Sequence, residues 1–157
     1  MNVELVVVGK TDMKEVEALV AMYSKRLNHY VRFAITTIAD IRNTKKLSEA
    51  EQKRLEGEAI LRLVNESDHV TLLDEHGAEL RSIEFAELVQ RRMSSGVKRL
   101  VFVIGGPYGF SEALYQRANS KLSLSKMTFS HQIVRAIFAE QLYRAFTILK
   151  NEPYHHE

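Results

Sequence analysis

The residues best placed to do chemistry stand in two stretches, the turn Gly105-Gly106-Pro107-Tyr108-Gly109 and the C-terminal Tyr154-His155-His156. The turn follows the apolar run Val101 to Ile104, so it opens at the C-terminal end of a buried strand, where open α/β sheets place their ligands. Glycine at 105 and 106 lets another molecule approach the main chain, which a Cβ would obstruct. Two readings stand on this local chemistry, a ligand site or a tight strand-to-helix connection. No Lys-Ser or Lys-Thr pair follows the glycines, so the turn is not a P-loop, and its spacing differs from the G-x-G-x-x-G of dinucleotide sites. The tail offers an aromatic ring and titratable imidazoles, which suits a segment folding over a ligand; a frayed terminus is the other reading. Metal chemistry lacks a donor set. The chain has no cysteine, and no H-x-x-x-H or carboxylate-rich cluster completes a site around the tail histidines.

These groups need elements to hold them, and the pattern is that of an alternating α/β chain. Leu5 to Val8 is short and uniformly apolar, as in buried parallel strands. Met13, Val16, Leu19, Val20, Tyr23 and Leu27 then recur at helical spacing. Val31 to Ile38 predicts a second strand, and the capping box Ser48-Glu-Ala-Glu51 a helix running to about Asn65. His69 to Leu73 predicts a third strand, Asp74-Glu-His-Gly77 a turn, and Ser82 to Met93 a helix. Leu100 to Ile104 is a fourth strand, with a short helix from Ser111. Leu122 and Leu124 alternate with serines, and Ser130 can cap a last helix. Its stripe of Ile133, Val134, Ile137, Phe138, Leu142, Phe146 and Leu149 suits core or a subunit interface. Arg135 and Arg144 lie off that stripe and are expected on the surface, Arg144 spaced to pair with Glu140. Asn151 and Pro153 end the helix.

A chain of 157 residues with no repeat or linker is expected to form one domain, 1–157, able to bury a core without disulfides or metal. No apolar run reaches membrane-spanning length, and Met1-Asn-Val-Glu lacks the basic start of a signal peptide, so a soluble cytoplasmic protein is expected. A net charge of +2 does not by itself imply nucleic acid.

Six segments occur in a telling order: Val6-Val-Val-Gly9-Lys10, Glu56-Gly57-Glu58, Val103-Ile-Gly-Gly-Pro107, Leu122-Ser-Leu-Ser-Lys-Met-Thr-Phe-Ser-His131, Glu140-Gln-Leu-Tyr-Arg-Ala145 and Pro153-Tyr-His155. On these the chain resembles, from end to end, a family of bacterial methyltransferases of the ribosomal large subunit, within the SPOUT (trefoil-knotted) methyltransferases. Members of that family commonly follow Tyr-His with a basic residue, where His156 stands here. The resemblance implies an α/β parallel-sheet SPOUT fold with a C-terminal deep trefoil knot, an exception to the rule against threading. It also implies S-adenosyl-L-methionine as cofactor, a homodimer, and methylation of N3 of a pseudouridine in a 23S rRNA stem-loop on the assembled ribosome. A non-catalytic ribosome-binding factor of the same fold, or a methyltransferase for another RNA nucleotide, is the alternative.

By the same resemblance, Leu73, Gly105, Leu124, Ser125, Lys126, Met127, Thr128 and Phe129 line the S-adenosylmethionine pocket. The chemistry agrees, since adenine needs an apolar slot with main-chain hydrogen bonds. An imide N3 must lose its proton before it can attack, and His131 and His155 are the candidate bases. His131 stands at a helix start, where the dipole disfavours the imidazolium; capping or packing is its other reading. Tyr154 can stack on or hydrogen-bond to the base. Arg135 and Arg144 suit phosphates or an anionic transition state, though for Arg144 an ion pair with Glu140 competes. Lys10, Arg42, Lys45 and Lys46, with Arg91 and Arg92, are candidate basic patches for RNA. No metal and no membrane partner are expected, and His29, His69 and His76 read as surface or packing residues.

Overall fold

The computed structural model describes residues 1–41 and 44–157, with strands and helices alternating along that length. In chain order they are β1 (Asn2–Val8), α1 (Lys14–Leu27), β2 (Arg32–Ile38), α2 (Glu49–Leu61), β3 (His69–Glu79), α3 (Ser82–Ser94), β4 (Arg99–Ile104), α4 (Glu112–Arg117), β5 (Ser120–Ser123) and α5 (Ile133–Leu149). The strands form one parallel sheet in the order β2-β1-β4-β3-β5.

Helices cover both faces, which is why β1 and β4 carry unbroken apolar runs, Leu5–Val8 and Leu100–Ile104, rather than alternating ones. Successive side chains point to opposite faces. Val3, Leu5 and Val7 of β1, with Leu100, Phe102 and Ile104 of β4, pack among residues of α1, α3 and α5. Val6, Val8, Val101 and Val103 pack instead against Ile60 of α2 and Leu114 of α4. Phe138 of α5, on the apolar stripe, is fully buried with its ring 4.7 Å from that of Phe102. No helix among the described residues is long and apolar enough to cross a membrane.

Two boundaries differ from the sequence pattern. Helix α2 stops at Leu61, short of Asn65, because the Asn65 N–H turns to the Asp68 carboxylate at 2.8 Å, a local bond that competes with the helix. At its other end Ser48 Oγ accepts the Glu51 N–H at 3.1 Å, while the Glu51 carboxylate goes to Arg54, so only half of the capping box forms. The second difference is in β3. The segment Asp74–Gly77 does not end the strand but bulges out of it, since Leu122 of β5 pairs with Leu73 and again with Ala78. Asp74 accepts the His76 N–H at 2.8 Å inside this bulge.

Candidate active site

Helices α3 and α4 follow the adjacent strands β3 and β4 and leave on opposite faces of the sheet. That divergence opens a crevice at the C-terminal ends of the two strands, where Leu73 and Ile104 are partners in register. A cleft of about 670 Å³ lies there. Leu73, Gly105, Leu124, Ser125, Met127, Thr128 and Phe129 line it, and so does His131. Lys126 is the exception in its run. It is not among the lining residues, and its ammonium lies 3.8 Å from Glu79.

The glycine turn forms one wall. The Gly109 N–H donates to the Gly106 carbonyl at 3.2 Å, and Gly109 has φ +82, a conformation that favours glycine. Gly105 and Gly106 are needed for a reason other than an approaching ligand. A Cβ at Gly105 would lie 3.0 Å from the Phe110 ring, and one at Gly106 would collide with the Glu56 carboxylate. The turn is therefore seated from beneath by two buried side chains.

Among the described residues Glu56 accepts one hydrogen bond, from Gln52 Nε2 at 3.0 Å. Burial pushes its carboxyl up, the Gln52 amide opposes this, and the charge of Asp40 adds to the rise. A group whose folded pKa is raised contributes stability at low pH that is lost as pH rises through the folded value. Glu56→Gln is thus expected to melt above the unchanged chain once pH exceeds the ordinary carboxylate range, with no such gain below about pH 4. Calorimetric scans across this interval check it; a melting difference independent of pH would rule out Glu56 as the titrating group.

The opposite wall is the β3 bulge. Asp74 accepts hydrogen bonds from the Tyr115 hydroxyl and from the His76 main chain, with the His76 ring 3.3 Å away. Burial alone would raise the Asp74 carboxyl, but these bonds outweigh it and hold the group below its usual range. Tyr115 is correspondingly pushed up to about 12, by burial and then by its bond to Asp74. The floor comes from the segment after β5, where Ser123 Oγ donates to the Ser125 carbonyl at 3.0 Å and Ser125 Oγ accepts the Met127 N–H at 2.9 Å. Met127 is left 78% exposed on the cleft, an apolar side chain awaiting cover.

Helix α5 begins at the rim. The N-cap position is Gln132 rather than Ser130, yet Ser130 Oγ accepts the N–H of Ile133, the first helical residue, at 3.1 Å from the turn before the helix. The Gln132 amide accepts from the Asp12 N–H and donates to the Lys10 carbonyl, both at 3.0 Å, fastening this end of α5 to the segment after β1. Arg135 corrects the expectation of a surface position. It is 1% exposed, and its guanidinium donates to the carbonyls of Val8, Gly9 and His131 and to Thr11 Oγ1 at 2.8–3.0 Å. Burial lowers its pKa, opposed by the charges of Asp12 and Asp40. Arg135 thus touches the backbone that carries His131, not the cleft.

The tail is ordered against its own chain but away from that cleft. Asn151, at φ +53, turns the chain after α5. Tyr30 then holds Glu152 at 2.5 Å, and Tyr154 donates to Glu140 at 3.0 Å with the Arg144 guanidinium 4.8 Å over its ring. Burial and the bonds to Tyr23 and Glu140 raise the Tyr154 hydroxyl above its usual value. Arg144 pairs with Glu140 and stands 3.3 Å from His155 Nδ1. Glu140 and Arg144 lie about 10–17 Å along α5 from its first turn, so Tyr154 and His155 do not meet His131 in one chain.

Of the basic candidates, Lys10, Lys45 and Lys46 are exposed, while Arg42 lies outside the described residues. Arg91 and Arg92 end α3, at the edge of the sheet where β3 begins, remote from the cleft. The sequence pattern does not single out Lys53, Asp74 or Tyr115, and it treats His76 as ordinary, yet all four line the cleft. Only Asp74, directly after Leu73, carried a local signal.

The lining suits a methyl donor built on adenosine, for Leu73, Ile104, Leu124 and Phe129 supply apolar surface beside the main chain of Gly105 and Gly106. Among the described residues no group of His, Asp or Glu could hold a metal ion. Residues 1–155 match the family model described as "Predicted SPOUT methyltransferase". Proteins named ribosomal RNA large subunit methyltransferase H are similar throughout. That of Christiangramia forsetii is 62% identical over 156 residues, 99% of each chain. Those of Flavobacterium johnsoniae and Bacteroides thetaiotaomicron are 56% and 52% identical over 157 residues, 100% of each chain. With a parallel α/β sheet, a cleft at its strand ends and a match spanning nearly every residue, the chain belongs to the SPOUT methyltransferase family.

Proposed function

We propose that this methyltransferase moves a methyl group from S-adenosylmethionine to N3 of a pseudouridine in 23S rRNA, acting as a cytoplasmic homodimer on the assembled ribosome. The cleft between β3 and β4, lined by Leu73, Gly105 and the Leu124–Phe129 run, carries this reading, and the named activity of the relatives supports the rRNA substrate. The C-terminal part is read as a deep trefoil knot, a reading supported by the SPOUT family match.

S-adenosylmethionine, when bound, supplies a methyl group already activated on sulfur. Leu73, Gly105, Leu124, Ser125, Met127, Thr128 and Phe129 would hold it, with Lys126 contributing main chain only. The protein must then align N3 and remove its proton. His131, exposed at the rim, is the base nearest the donor site. Arg135 serves as a positioning residue, fixing the His131 carbonyl to the end of β1. Tyr154 and His155 complete the site from the partner protomer, since they lie far along α5 from their own cleft.

The test is transfer of labelled methyl from S-adenosylmethionine to ribosomes that lack the modification, with pseudouridine or uridine at the target. Labelling of the pseudouridine ribosomes alone is expected. Equal labelling of both would move the enzyme to another nucleotide, and ribosome binding without calorimetric donor binding would favour a non-catalytic factor. Mixing a cofactor-dead chain with a Tyr154-His155-deleted chain should restore activity if the site is shared between protomers.

A further inference from the structure

The cleft lining also carries Tyr108 on the glycine turn and Lys53 on α2, neither of them among the residues assigned above to the donor. We propose that these two residues receive the RNA nucleotide, the Tyr108 ring stacking on a base and the Lys53 ammonium meeting a phosphate. This rests on the RNA methyltransferase reading above.

Tyr108 is 44% exposed, and its hydroxyl makes no hydrogen bond among the described residues. The ring is open yet not loose. Pro107 restricts the turn, Gly109 closes it onto Gly106, and Glu56 and Phe110 seat it from below. A fixed aromatic at a cleft mouth is a preorganised stacking surface with little left to order on binding. Of the other aromatic side chains of the cleft, Phe110 is buried, Tyr115 is bonded to Asp74, and Phe129 belongs to the run assigned above to the donor. Lys53 stands on α2, whose Glu51 and Glu58 pair with Arg54 and Arg62, and among the described residues no ion pair joins it to any carboxylate, Glu49 and Glu56 of the same helix included. A cation without an acidic partner among the described residues and an open π-face, both on the lining of one cleft, match the two parts every nucleotide presents. Stacking tolerates any base, so this platform captures the nucleotide and leaves its identity to other contacts.

Steady-state methyl transfer to ribosomes, with donor calorimetry alongside, tests the proposal on Tyr108→Ala, Tyr108→Phe and Lys53→Ala. The alanine change should raise KM for ribosomes by about 5- to 100-fold, the worth of one base stack, while phenylalanine stays near the unchanged chain. Donor affinity should not move in either. Lys53→Ala should weaken ribosome binding and reduce its logarithmic salt slope by about one. An unchanged KM in Tyr108→Ala, or donor affinity falling in step with it, overturns the platform. Should the unchanged chain label no ribosomal RNA, the functional reading falls too; labelling that ignores Tyr108→Ala removes the platform alone.

Discussion

Arg135→Met is expected to lower the melting temperature by about 6–12 °C, taking a loss of about 3 kcal/mol and about 2–4 °C per kcal/mol for a chain of this size. Methionine fills the space but strands the carbonyls of Val8, Gly9 and His131 and the Thr11 hydroxyl, all of which face the guanidinium. Hydrogen bonds to a charged donor contribute about 1.5–3 kcal/mol each, and relief from burying the charge returns several kcal/mol. The bonds win at the buried carbonyls of Val8 and Gly9, which gain no other donor in the interior, whereas water can reach the part-buried His131 carbonyl and Thr11 hydroxyl. Arg135→Lys should recover only part of the loss, since a point charge cannot replace a fork that reaches four oxygens. Donor affinity should fall with the methionine change, because Ser130 and His131 sit on the turn that Arg135 fastens. Full stability and donor binding with lost RNA methylation would instead make Arg135 a group that touches substrate.

Arg135 also marks how far the sequence can be read. The apolar stripe of α5 is legible from spacing, and a charged residue off that stripe ordinarily faces water. What buries Arg135 is the frayed hydrogen-bonding end of β1, whose Val8 carbonyl lies 127 residues earlier in the chain. No local window contains that partner. Strands β1 and β4 were legible for the opposite reason, since burial on both faces writes an unbroken apolar run into a few adjacent residues. The bulge at Asp74–Gly77 has turn-forming residues and does bend, but its return to pairing depends on β5, which a local reading cannot supply.

The site divides in the same way. The turn at Gly105–Gly109 announces a strand end, yet the need for glycine comes from Phe110 and from Glu56 on a distant helix. The run Leu124–Phe129 is legible only through the family resemblance, and the cleft brings all of it together except the Lys126 side chain. Lys53 was illegible because one cation among the many charges of α2 looks like solvated surface until its neighbours are seen to be paired with each other. The tail held both an aromatic ring and imidazoles as expected, but its docking on Glu140 and Arg144 puts it out of reach of its own cleft. The chemistry of a site is often local in sequence, whereas its assembly is not.

Gly77→Ala is expected to cut donor affinity by about tenfold or more, equivalent to at least about 1.4 kcal/mol, with a stability loss of about 1–3 kcal/mol from overpacking. A Cβ there would stand 2.6 Å from Leu122 N and 2.7 Å from the carbonyl carbons of Leu122 and Lys121. These are backbone atoms of β5, with no rotamer to swing aside. The bulge must lift from β5 or β5 must shift, and either movement reaches the cleft, since Leu73 and Asp74 precede Gly77 while Leu124 and Ser125 follow Leu122. Gly96→Ala is the control. It has open space but φ +79, so it should cost about 1 kcal/mol of backbone strain at the end of α3, remote from the cleft. Calorimetric titration with S-adenosylmethionine, at a temperature where circular dichroism shows both variants folded, separates the two effects. Weak donor binding in Gly77→Ala alone would tie the pocket to the close packing of the β3 bulge against β5. An equal loss in both variants would trace it to general destabilisation, and tight binding in both would mean that the bulge can yield without disturbing the pocket.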